Sequence, residues 1–116
     1  MAAVTARLRL KFQDLDDARV HLAALKDLFL QGTKRDPRLL RRITTLCGAA
    51  QAVLKDPYCS AKIASIAECA AVWVSQRRNE RPERYLEQLL DLVDLLQSRI
   101  YAIEAIRRAS RTSLMH

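Results

Sequence analysis

His21 is the only histidine inside the chain, the other being His116 at its end. Catalysis by proton transfer or covalent attack needs a nucleophile with a base, a carboxylate pair in a cleft, or a metal cage. His21 falls beside the apolar stripe of a helix, where an imidazole reads as a half-exposed helix residue rather than a base. Asp91 and Asp94 are three residues apart with Glu87 a turn earlier, and a solvated acidic face accounts for all three. Cys47, Cys59 and Cys69 are odd in number, irregular in spacing and form no CxxC pair, so neither a disulfide framework nor a zinc site is supported. Cys47 and Cys69 sit on apolar helical faces, and all three thiols are expected to be reduced packing residues. There is no glycine-rich phosphate loop. The expectation is a protein that is not an enzyme and carries no cofactor or metal.

Basic residues are the stronger signal. The chain has a formal net charge of +7 and a pI near 9.8, which favours nucleic acid or an acidic protein as partner. Lys34, Arg35, Arg38, Arg41 and Arg42 crowd the start of a helix, where the dipole makes positive charge unfavourable. Arg77, Arg78, Arg81 and Arg84 form a second cluster. Both are candidates for holding an anionic partner. Neither is interleaved with aromatics, and no helix carries a polar face suited to reading bases. Nucleic acid therefore ranks second to a solvated or acidic-protein-facing surface.

These residues must be positioned by few elements. In 116 residues there is room for one domain. Half the residues are apolar and 28% charged, the balance of a folded chain, and two glycines with three prolines leave little material for loops. Arginine outnumbers lysine and Leu and Ala abound, as in high-GC bacterial proteins. No apolar run approaches a membrane span and the first residues lack a signal-peptide pattern, so a cytoplasmic location is expected.

Val4 to Phe12 alternates: Val4, Leu8, Leu10 and Phe12 share one face with Ala6, and Thr5, Arg7, Arg9 and Lys11 the other. That is a half-buried strand with a basic outer face, placing a strand or arm at 2–12. Asp14 looks like an N-cap for a helix over 15–31, with the stripe Leu15, Ala18, Leu22, Leu25, Phe29 and Gly32 as its stop. Asp36-Pro37 opens a helix over 37–55, ended by Asp56-Pro57. Ser60 or Asp56 opens a third, over 58–79, with Ile63, Ile66, Ala70 and Trp73 on one stripe and Ala64, Ala67, Ala71 and Val74 on the next. The longest helix spans 82–109, where Leu86, Val93 and Ile100, and Leu89, Leu96 and Ile103, recur every seven residues. Tyr85, Leu90, Leu92 and Ile106 widen that seam into a bundle face. A polar tail, 110–116, is expected to fray.

The fold class is thus mostly α, an N-terminal strand followed by four helices in a small bundle. A lone strand needs a partner edge, supplied by a second copy or another protein. A helix longer than its bundle leaves apolar surface over. The expected protein-binding or dimer residues are Val4, Leu8, Leu10, Phe12, Ile63, Ile66, Ala70, Trp73, Leu86, Leu89, Leu92, Val93, Leu96, Ile100 and Ile103.

In length, high-GC character, the Ala-rich Ile63–Val74 helix and the long Tyr85–Ile106 helix, the chain resembles the small helical antiactivators of LuxR-type quorum-sensing regulators. The resemblance is architectural and rests on no short motif. It implies a homodimer that binds the ligand-binding domain of a LuxR-type transcription factor, blocking its dimerisation and its binding to DNA.

Overall fold

The computed structural model describes residues 12–31, 35–76 and 82–115, with side chains as far as Ser110. These residues form four helices: α1 (Phe12–Gln31), α2 (Pro37–Val53), α3 (Pro57–Ser75) and α4 (Pro82–Met115). Two starts share one device. Asp36 sits in extended conformation before Pro37, and its Oδ1 accepts the Leu39 N–H at 3.0 Å. Asp56 does the same before Pro57, its Oδ2 accepting the Cys59 N–H at 3.1 Å. Each carboxylate satisfies an amide that the helix itself cannot, and each proline stands where no N–H is needed.

Each helix packs against two others: α1 against α2 and α4, and α3 against α2 and α4. Three residues, 54–56, join α2 to α3, so the two run antiparallel. Arg19 pairs with Glu104 and Lys26 with Asp94, so α1 and α4 are antiparallel as well. The ends of α1 and α3 meet, the Phe29 and Trp73 rings standing edge to face at 5.8 Å. The result is an up-down-up-down four-helix bundle. Its 24 × 18 Å cross-section matches two-by-two helices at an interaxial spacing of about 8–10 Å.

The core is built from one stripe per helix. Leu15, Ala18, Leu22, Leu25 and Phe29 of α1 face Leu39, Ile43, Cys47 and Ala50 of α2. Cys59, Ile63, Ile66, Ala70 and Trp73 of α3 and Leu89, Val93, Leu96 and Ile100 of α4 complete it. Spacings of three and four residues keep each set on one side of its cylinder. Each large side chain removed from water contributes about 1.5–3 kcal/mol before conformational entropy is counted. Leu54 is fully buried although it lies in the α2–α3 turn, where its N–H donates to the Ala50 carbonyl at 2.8 Å.

The structure differs from expectation at several points. Phe12, expected to end a strand, begins α1, with the Arg107 guanidinium 5.0 Å above its ring. Val4, Leu8 and Leu10 lie outside the described residues, and among those described there is no strand. Of the two candidate starts for α3, Asp56 is the cap. The helix begins at Pro57 and ends at Ser75, short of Gln76, whose extended backbone donates its N–H to the Trp73 carbonyl. α4, expected to end at residue 109, continues to Met115. Nothing in Ile100–Met115 is glycine or proline, and mostly good helix formers offer no reason to stop at residue 109.

Candidate interaction surfaces

The expected seam of α4 is spent inside the bundle. Leu89, Val93, Leu96 and Ile100 are fully buried, and Leu92 nearly so. The same holds for Ile63, Ile66, Ala70 and Trp73 on α3. Leu86 and Ile103 are half-buried at the core's margin. These residues build the fold, so the surface expected of them is core. Periodicity alone counts the seam as surplus because it cannot show the neighbouring helices closing over it.

The free surface of α4 lies further along. Arg99 marks where α4 passes the α2–α3 turn: its Nη2 donates to Asp56 Oδ1 at 3.2 Å, and its guanidinium lies 5.6 Å from the Tyr58 ring centre. On the α1 side the Arg107 guanidinium lies 5.0 Å from the Phe12 ring centre. Ile100–Met115, about 24 Å at 1.5 Å per residue, runs beyond the ends of α2 and α3. Here Tyr101 is 72% exposed and Ile106 64%. Ile106 is seven residues past Arg99 and so on the same side of the helix. Upstream that side meets α3; at Ile106 α3 has ended.

Ion pairs pin this part of α4 to its neighbours. Glu104 is 6% exposed and receives the Arg19 guanidinium. That hydrogen bond outweighs burial and holds the Glu104 carboxyl below its ordinary range. At Asp56 burial is the larger single influence and pushes the carboxyl up. The Arg99 and Cys59 hydrogen bonds together outweigh it, and the net shift is downward.

A second surface lies between α1 and α2. Ala24, Asp27, Leu28 and Gln31 on α1 and Arg41, Arg42, Thr45 and Leu46 on α2 line an open groove of about 580 Å³. Sequence reasoning missed it, because each residue lies at the edge of its helix's stripe and only pairing α1 with α2 brings the edges together.

The described members of the two basic clusters lie toward one end of the bundle. Arg35 Nη1 donates to the Trp73 carbonyl at 2.8 Å, tying the start of α2 to the end of α3. Arg84 lines a polar recess with Gln76, Tyr85 and Gln88 at this same end. Arg38, Arg41, Arg42 and Arg84 are exposed. Lys34, Arg77, Arg78 and Arg81 lie outside the described residues. The outer face of α3 is smooth, with Ala61, Ala64, Ser65, Ala71 and Val72 exposed around a single charge, Glu68.

Residues with catalytic potential are dispersed. His21 is half-buried on α1; Glu87, Asp91 and Asp94 are exposed on α4, and Asp94 meets Lys26 at 3.5 Å. Among the described residues no group of histidine, cysteine and carboxylate side chains is placed to hold a metal ion. The three cysteines are buried and free. Burial pushes the Cys47 thiol up to about 11; burial and the neighbouring Asp56 push Cys59 up to about 12. Such thiols stay protonated at neutral pH and are poor nucleophiles. Among the described residues, no helix is long and apolar enough to cross a membrane.

No protein-family model matches the chain, and comparison with curated proteins and with solved structures likewise gives no match. The class the geometry defines is a four-helix bundle with one overlong helix and a basic end.

Proposed function

We propose that this is a non-enzymatic regulatory protein that binds and sequesters a partner protein, acting as a homodimer. One observation carries the reading: α4 continues past the α2–α3 turn with α1 beside it and holds Tyr101 and Ile106 in water at 72% and 64% exposure. Large apolar side chains exposed on one face of a helix are the usual form of a helix-in-groove contact. The architectural resemblance points the reading towards an antiactivator that blocks dimerisation and DNA binding of a LuxR-type transcription factor. The test is capture of partners from the source cells with the wild type and with Tyr101→Glu/Ile106→Glu. The expected result is a partner retained by the wild type and lost by a variant of unchanged helicity. A variant that retains every captured protein would remove the reading. Light scattering on a sizing column reads the dimer, and a monomer at micromolar concentration would remove that part.

A second reading, a basic nucleic-acid-binding protein, is favoured by the exposed Arg38, Arg41 and Arg42 on α2 and by Arg84 at the start of α4, near the end of α3 that Arg35 ties to α2. It predicts binding to DNA or RNA that weakens steeply with salt, as phosphate contacts release counterions. No mobility shift at low salt would exclude it.

A further inference from the structure

Charge and shape coincide in the groove between α1 and α2. Its floor is apolar: Leu28 is 9% exposed, Leu46 is half-buried, and Ala24 keeps the α1 side low. One wall carries Arg41 and Arg42, the other Asp27. Three cations of the bundle meet carboxylates, Arg19 with Glu104, Lys26 with Asp94 and Arg99 with Asp56. Arg41 and Arg42 make no ion pair among the described residues, and Asp27 across the groove does not reach them. They stand in the second turn of α2, exposed and side by side on its groove edge.

We propose that the groove between α1 and α2 is a docking site for an acidic amphipathic helix of a partner protein. One apolar side chain sits on Leu28 and Leu46, and carboxylates face Arg41 and Arg42. Two helices side by side offer a third the furrow that ridge-into-groove packing requires. The volume of about 580 Å³ holds an apolar anchor and its flanks. Asp27 makes the groove asymmetric, so the occupant carries its acids on the α2 side and no acid on the α1 side. Phosphate chains are the poorer match, because the floor is apolar and no aromatic lines it for bases to stack on. The end of α4 from a second copy is also the poorer match, because its exposed Ile106 is flanked by Arg107 and Arg108, the wrong sign for two arginines. The proposal rests on the reading that the protein binds another protein, and adds a second site and the charge of what fills it.

The probe is a fluorescein-labelled helical peptide of about 16 residues, with leucines on one face flanked by glutamates, beside a lysine-for-glutamate control. Binding is followed by fluorescence anisotropy on the full chain, and its location by backbone amide NMR shifts. The glutamate peptide is expected to bind with micromolar to 100 µM affinity, on the order of −5 to −8 kcal/mol. It should shift amides in 24–31 and 41–46. Arg41→Glu/Arg42→Glu should weaken binding at least about tenfold and favour the lysine peptide instead. Thr45→Trp, which fills the groove without changing charge, should weaken it too; circular dichroism checks both folds. No saturable binding, binding indifferent to both variants, or shifts confined to 100–110 would each overturn the proposal. So would a short DNA duplex or anionic vesicles shifting the same amides more strongly at physiological salt. Tyr101→Glu/Ile106→Glu separates the two claims: partner capture tracks that variant, whereas peptide docking in the groove should ignore it.

Discussion

Asp56 and Arg99 lie 43 residues apart and join through one carboxylate, whose Oδ1 takes the guanidinium at 3.2 Å while Oδ2 caps α3. The same side chain starts one helix and fixes the level at which another passes the turn. Asp56 is 7% exposed, so both roles are played out of water. Removing it strands the Cys59 amide and a partly covered guanidinium together.

Asp56→Ala should therefore cost about 2–3 kcal/mol, more than a simple cap loss. Asp56→Asn keeps an acceptor for Cys59 and should cost less. Urea denaturation of both variants measures the difference; equal midpoints for Asp56→Asn and the wild type would mean that the charge pairing with Arg99 contributes nothing.

The pH response follows from the direction of two shifts. Asp56 and Glu104 both have carboxyls held lower in the folded than in the unfolded chain. Their contribution is present above the unfolded value and lost as pH falls through the folded one. Melting temperature should be steady near neutrality and fall below about pH 4. Asp56→Asn/Glu104→Gln should melt lower at neutral pH and show a shallower acid slope. An unchanged slope would place the acid sensitivity elsewhere.

Arg19 tests the opposite side of the bundle. Its side chain is 41% exposed while that of Glu104 is 8% exposed, so solvent screens one half of the pair. Arg19→Ala should cost about 1 kcal/mol, discounted for that exposure. Arg19→Ala/Glu104→Gln, which removes the stranded charge, should recover part of it; a double-mutant cycle reads the coupling.

At the end where α1 and α3 meet, Phe29 is 1% exposed and stands edge-on to Trp73. Phe29→Ala should cost about 3–5 kcal/mol, a large share of the stability of a domain this size. Chemical denaturation followed by Trp73 fluorescence checks it, since Trp73 is the only tryptophan.

Thiol labelling and amide exchange report on the interior and on the α4 extension. Cys47, Cys59 and Cys69 should resist a neutral disulfide reagent in the folded chain and react promptly in urea, because burial raises all three thiols. Amides of Leu92–Ile100, in the buried stretch, should exchange only with global unfolding, whereas those of Arg108–Ser110, whose side chains are exposed, should exchange by local opening. Equal protection along the whole of α4 would show that its end is covered.

Much of the bundle could be read from residue order. Asp36-Pro37 is a complete start signal in two residues, and the stripes of α1 and α2 keep their period with no competing pattern. These features are local: caps and periodicity depend on chemistry within about four residues, which the chain states outright. Where local signals conflicted, reading was poorer. Phe12 continues an apolar-basic alternation and also begins α1, where the Arg107 guanidinium of α4 lies over its ring.

The chain alone thus determined four amphipathic helices, the Asp36 cap of α2 and a basic excess, while Asp14, expected to cap α1, lies inside its first turn. Which apolar residues remain in water was settled only by assembly. The heptad positions Leu89, Val93, Leu96 and Ile100 became core because the other helices close over them, and Ile106 stayed exposed because α3 ends short of it. The groove holding Arg41 and Arg42 exists only because α1 and α2 lie side by side. Burial belongs to a pair of surfaces, and residue order specifies each surface without its partner.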